Sequence, residues 1–161
     1  RDKKKGECSM SINIKAVTDD NRAAILDLHV SQNQLSYIES TKICLEDANE
    51  CHYYKPVGLY YEGDLVGFAM YGLFPEYDED NKNGRVWLDR FFIDERYQGK
   101  GLGKKMLKAL IQHLAELYKC KRIYLSIFEN NIHAIRLYQR FGFQFNGELD
   151  FNGEKVMVKE L

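Results

Sequence analysis

The chain has 161 residues, 45% of them hydrophobic and 29% charged, with 23 basic and 24 acidic side chains for a formal net charge of −1. That balance suits one ordinary globular core, and it argues against nucleic acid as the main partner, which would call for a basic excess or stripe. No apolar run approaches the roughly 20 residues of a membrane span, and no secretory signal is visible.

The first nine residues, 1–9, are basic and patternless, and are expected to be an expression remnant ahead of a single domain over 10–161. Ile12-Asn13-Ile14-Lys15-Ala16-Val17 alternates apolar and polar side chains, the mark of a half-buried strand. Thr18 or Asp19 can cap a following helix in which Ala24, Ile25, Leu28 and His29 recur at helical spacing. Residues 32–37 break it, and 38–49 reads as a second, weaker helix whose face carries Glu39, Glu46, Asp47 and Glu50. Val57 to Tyr61 and Leu65 to Phe74 form a hairpin through Glu62-Gly63-Asp64. An acidic loop follows, with four acids among residues 76–80: Glu76, Asp78, Glu79 and Asp80, around Tyr77.

The apolar run Val86-Trp87-Leu88-Asp89-Arg90-Phe91-Phe92-Ile93 then leads into Arg96-Tyr97-Gln98-Gly99-Lys100-Gly101-Leu102-Gly103 and a strongly periodic helix over 104–117. A strand entering a glycine-rich turn and a helix makes an anion site. The glycines admit close backbone approach, and the first-turn N–H groups have no intrahelical partner. The spacing is not that of a dinucleotide fingerprint, since Lys104 and Lys105 stand near where its third glycine belongs, and no Lys-Ser/Thr pair completes a Walker loop. Arg122-Ile123-Tyr124-Leu125-Ser126-Ile127-Phe128 is a further strand. A helix over 134–140 is capped by Asn130 or Asn131 and stopped at Gly142, and two last strands turn through Asn152-Gly153.

Gln98-x-x-Gly101-x-Gly103 resembles the Q/R-x-x-G-x-G/A motif of the GNAT superfamily of N-acetyltransferases, where it cradles the pyrophosphate of acetyl-CoA. A second stretch, Asn131-x-x-Ala134-x-x-x-Tyr138-x-x-x-Gly142-Phe143, resembles another segment of that superfamily at the right separation. Residues 87–94, 97–101 and Gly147-Glu148-Leu149 are similar to the bacterial spermine/spermidine N-acetyltransferases. The resemblance implies a mixed α/β fold: a mostly antiparallel sheet with a V-shaped split and helices on both faces. It implies transfer of an acetyl group from acetyl-CoA to a primary amine of a polyamine. An acetyltransferase for another amine, or a non-catalytic acyl-CoA-binding module, are the alternatives.

On that reading Phe91, Phe92, Ile93, Gln98, Gly99, Lys100, Gly101, Leu102, Gly103, Lys104, Asn131 and Tyr138 hold acetyl-CoA. Tyr138 is the candidate acid for the departing thiolate, since a phenol with a pKa of about 10 stays protonated at neutral pH. Asp89 is the candidate base, with Glu39 and Glu76 as lesser alternatives. Strict alternation would set Asp89 on the face of Phe91 and Ile93, and its structural alternative is a salt bridge to a cation such as Arg85. Tyr37, Glu39, Glu76, Tyr77, Asp78 and Asp89 are the candidate seats for a polycationic amine. His29, His52, His113 and His133 are scattered, and Cys8, Cys44, Cys51 and Cys120 lack CxxC spacing, so no metal is expected. Expected too are reduced thiols in a cytoplasmic protein, with no nucleic-acid or membrane partner; a homodimer is left open.

Overall fold

The computed structural model describes residues 11–34 and 39–161. The elements are β1 (Ile12–Ala16), α1 (Arg22–Leu26), α2 (Thr41–Glu50), β2 (Lys55–Tyr61), β3 (Asp64–Phe74), β4 (Arg85–Ile93), α3 (Leu102–Tyr118), β5 (Arg122–Ile127), α4 (Ile132–Arg140), β6 (Gln144–Leu149) and β7 (Lys155–Glu160). The strands form one sheet in the order β1-β2-β3-β4-β5-β7-β6. Every neighbouring pair is antiparallel except β4 and β5, which run parallel and meet at one register position, Trp87 opposite Tyr124. The expected mixed α/β sheet, with a split between β4 and β5, is therefore present.

Two apolar layers cover it. On one face Ala69, Tyr71 and Leu88 pack with Met106, Leu107, Leu110 and Leu114 of α3 and Ile135 of α4. On the other, Phe68, Met70 and Phe92 pack with Ile25, Cys44 and Leu45 of α1 and α2. The buried residues of α3 fall at positions 102, 106, 107, 110, 111 and 114, a single helical stripe.

Two helices differ from expectation. α1 lasts five residues and stops before Leu28 and His29, and Asn21 is its N-cap residue rather than Thr18 or Asp19. α2 begins at Thr41, because Ser40 caps it: the Ser40 hydroxyl accepts the Ile43 N–H at 3.3 Å. Glu39 therefore precedes the helix instead of lying on its face. Cys44, Cys51 and Cys120 are free thiols, and Cys51 ends α2.

β4 carries the irregularity that shapes the site. Met70 pairs with Arg90 and Tyr71 with Leu88, so Asp89 is an extra residue without an opposite number. Such a bulge shifts the alternation by one. Val86 and Leu88 face α3 before it, Phe91 and Ile93 do so after it, and Phe92 turns to the other layer. Asp89 and Arg90 both turn toward the α2 face. Asp89 thus does not share a face with Phe91 and Ile93, as simple alternation would have it.

Candidate active site

Beyond Trp87 the β4 edge toward Ile93 has no pairing with β5, leaving backbone donors and acceptors that an extended ligand can meet. At the end of β4 the fully buried Asp94 accepts the backbone N–H of His29 at 3.0 Å and of Arg96 at 2.9 Å, and the Arg96 Nε at 2.8 Å. Burial pushes its carboxyl up, but these hydrogen bonds outweigh it and hold Asp94 below the usual carboxylate value. Gln98 then ties the turn down, its amide donating to Ile93 O at 2.9 Å and to Gln34 Oε1 at 3.0 Å.

Gly99 and Gly101 have φ of 78° and 75°, and a Cβ on either would meet nothing within 4 Å. The turn therefore presents an open side to solvent, capped by Gly101 at the N-terminus of α3. Free first-turn N–H groups, the positive helix end and open space fit a pyrophosphate. Side chains contribute unevenly. Leu102, Phe92 and Ile93 are buried in the core, so only their backbones are available. Lys104 is exposed, and Lys100 sits 5.7 Å over the Tyr97 ring.

Two cavities open on the split. The larger, about 760 Å³, is bordered by Glu39, Asp89, Arg90, Phe91, Asn131 and Tyr138 among others. The smaller, about 490 Å³, is bordered by Glu76, Tyr77, Asp78, Trp87, Asp89 and Glu148, with Arg85 as its cation. Tyr54, Asp89, Ser126, Asp150 and Phe151 line both, so the two spaces meet at Asp89.

Tyr138 is set by the end of its helix. Phe143 N–H donates to Tyr138 O at 3.1 Å and Gly142 N–H to Gln139 O at 3.0 Å, around Gly142 at φ 88°. The Tyr138 ring meets Phe143 edge-on at 5.6 Å. Its hydroxyl has no hydrogen-bond partner among the described residues, and burial pushes its pKa up, so it stays protonated and able to donate. Asn131 precedes α4 without a side-chain capping bond.

Asp89 pairs with Arg90, at 3.0 Å, and not with Arg85. Arg85 instead bridges Asp78 and Glu148, each at 2.7 Å. Burial raises the Asp89 carboxyl above its ordinary value, Arg90 opposes that, and the negative field of Glu39, Asp47 and Asp150 adds to it. On the acidic loop the Arg85 and Asn81 hydrogen bonds hold Asp78 down at about 2. Glu76 accepts the Trp87 indole N–H at 2.8 Å.

The acetyltransferase (GNAT) family model matches residues 22–143. The spermine/spermidine N(1)-acetyltransferase of Bacillus subtilis (strain 168) is 99% identical over 152 residues, 94% of this chain and 100% of its own length. The chain belongs to the GNAT acetyltransferase family. Among solved structures, an aminoglycoside acetyltransferase in complex with coenzyme A superposes with a TM-score of 0.75 at 19% identity, covering 93% of this chain and 95% of its own. A spermidine N-acetyltransferase chimera from Vibrio cholerae gives a TM-score of 0.68 at 20% identity, covering 92% and 95%. Both share the GNAT fold.

Within this GNAT scaffold Tyr138, Asn131, Phe91, Asp89 and Glu39 converge on one cavity, and Glu76, Tyr77, Asp78 and Asp89 on the other. The glycine turn borders neither cavity; it stands beyond the end of β4. Glu79 and Asp80 line neither, and Tyr37 lies outside the described residues. Sequence reading missed Tyr54, Ser126, Glu148, Asp150 and Glu154. The last two belong to the β6–β7 turn, where Asp150-Phe151-Asn152-Gly153-Glu154 signals only a turn. What brings them to the site is the pairing of β7 with β5, Ser126 opposite Val156.

Proposed function

We propose that this GNAT acetyltransferase moves an acetyl group from acetyl-CoA to a primary amine of spermine or spermidine, in a ternary complex. The observation that carries this reading is the meeting of two cavities at Asp89. One is bordered by a protonated phenol and an unpaired strand edge, the other by carboxylates and aromatic rings. The near-identical Bacillus subtilis relative, a spermine/spermidine N(1)-acetyltransferase, supports the polyamine and its N(1) nitrogen.

Acetyl-CoA supplies an activated thioester carbonyl, held by the backbone of residues 91–93 and by Gln98, Gly99, Lys100, Gly101, Leu102, Gly103 and Lys104, with Asn131 beside them. The amine nitrogen forms the new N–C bond as the C–S bond breaks. Asp89 takes the proton that nitrogen loses, directly or through water, and Tyr138 gives its hydroxyl proton to the sulfur. Glu76 and Glu148 face the outer ammonium groups, and Trp87 and Tyr77 flank the methylene chain. The free thiols Cys44, Cys51 and Cys120 support a reducing, cytoplasmic setting. Among the described residues no helix is long and apolar enough to cross a membrane.

A panel of amines in a thiol-release assay tests the reading. Spermine and spermidine should be acetylated, with kcat/KM rising from putrescine through spermidine to spermine. Each exposed charge pair contributes a fraction of a kcal/mol to about 1 kcal/mol, so the ranking should flatten as salt is added. Acetylation of a monoamine or a peptide with both polyamines untouched would overturn the polyamine assignment.

A further inference from the structure

The bulge puts Asp89 and Arg90 side by side on one face, and Arg90 uses that placement fully. Its Nη1 donates to the Asp89 carbonyl oxygen at 2.8 Å and to Asp89 Oδ2 at 3.0 Å. Its Nη2 lies 2.8 Å from Oε2 of Glu39. One guanidinium thus holds the backbone and one carboxylate oxygen of Asp89 in a closed ring, leaving Oδ1 without a partner among the described residues. Both side chains are about three-quarters buried, at 22% and 25% exposure, where a fixed cation is felt more strongly than in water.

We propose that Arg90 is a positioning residue for Asp89: it fixes the carboxylate orientation and, counterbalanced by Glu39, sets how readily Asp89 accepts the amine proton. The inference rests on Asp89 being the proton acceptor. An unopposed guanidinium at 3.0 Å would make Asp89 a poor base, because it stabilises the carboxylate over the acid. Glu39 occupies the other arm of the guanidinium and offsets that effect. Among the described residues, the other titratable groups on that cavity or in the field of Asp89 are Asp47 and Cys44 of α2, Tyr54 ahead of β2, Tyr138 of α4, and Asp150 and Glu154 of the β6–β7 turn. Burial pushes Cys44 and Tyr54 up to about 12, so both stay neutral. Burial and the neighbouring Asp150 also raise Glu154.

The test is the acid limb of kcat/KM for spermine, read with acetyl-CoA affinity and a melting curve. The ionisation of the amine, near pH 10, is common to all variants and leaves the acid limb free. Activity needs Asp89 deprotonated, so removing the cation in Arg90→Gln should move the limb to higher pH and lower kcat roughly tenfold or more, since small misplacements of a reacting group cost up to about 10²-fold. Removing the opposing charge in Glu39→Gln should move the limb to lower pH. Arg90→Lys keeps the charge but not the two-armed geometry, so the limb should stay near wild type while kcat drops. Acetyl-CoA affinity should hold throughout. If neither Arg90→Gln nor Glu39→Gln shifts a limb that Asp89→Asn abolishes, Arg90 only packs, and the proposal is wrong. If Asp89→Asn keeps both activity and limb, the base assignment fails and takes this inference with it, while the amine panel stands. Should Arg90→Gln not fold, Glu39→Gln decides alone, because that carboxylate is 46% exposed and precedes α2.

Discussion

Tyr138 depends on a local device, the closing turn of α4, which seats its carbonyl against Phe143 N–H and its ring against the Phe143 side chain. Tyr138→Phe keeps ring and packing and removes only the donor. Turnover should fall by roughly 10²–10⁴-fold, the usual span for general acid–base catalysis, with acetyl-CoA affinity unchanged by calorimetry. Undiminished turnover would mean that the thiolate takes its proton from elsewhere. The position of Tyr138 on the cavity was legible because its whole motif sits within one helix and its stop. Asp89 was legible as an acid in an apolar strand, but its face and partner were not. A bulge is an offset between two strands, and nothing in the one-dimensional alternation of β4 reports that Met70 and Tyr71 straddle an extra residue. Asp150 and Glu154 were invisible for a related reason, and Glu148, though part of the similar stretch 147–149, was given no place at the site: sheet order, not local pattern, carries them to Asp89.

At the scale of elements, the glycine turn shows which positions tolerate a side chain. Gly101 has φ 75° and open space, so Gly101→Val strains the backbone and places bulk over the face proposed to take the pyrophosphate. Gly103 lacks that restriction, and its added Cβ would meet only Ile93 Cγ1, at 4.0 Å. Gly103→Ala should therefore fold at least as stably as wild type, gaining up to about 1 kcal/mol of helix propensity, and keep its acetyl-CoA affinity. Gly101→Val should lose affinity while remaining folded. Paired titrations and melting curves read both, and equal affinities in the two variants would remove the turn from the acyl-donor site. Element order was readable throughout, since strand and helix periods are local. The start of α2 was not, because the apolar pattern runs through Ile38 while Ser40 caps the helix that actually forms.

For the whole molecule the question is what joins the two layers to the end of β4, and the buried Asp94 does much of it. It links the segment after α1, through His29 N–H, to the turn before α3, through Arg96. The Arg96 side chain is 52% exposed, so water screens that charge pair; the two backbone N–H groups are the firmer partners. Asp94→Asn keeps the shape and loses the charge. At pH 7 it should cost about 2 kcal/mol, the usual order for hydrogen bonds to an ionised group. In a chain of this length that lowers Tm by roughly 4–8 °C. The pH dependence follows from the depressed folded pKa of Asp94. Its stabilisation is complete above the unfolded value of about 3.9 and drains away as pH falls through the lower folded value, where the unfolded chain has already taken up the proton. The Tm gap between wild type and Asp94→Asn should therefore be constant from pH 7 to about pH 5 and close in more acidic buffer. A gap that persists undiminished to pH 2.5 would mean that the asparagine amide fits these donors poorly whatever the charge, and that the charge of Asp94 does not hold the β4 end to the two layers.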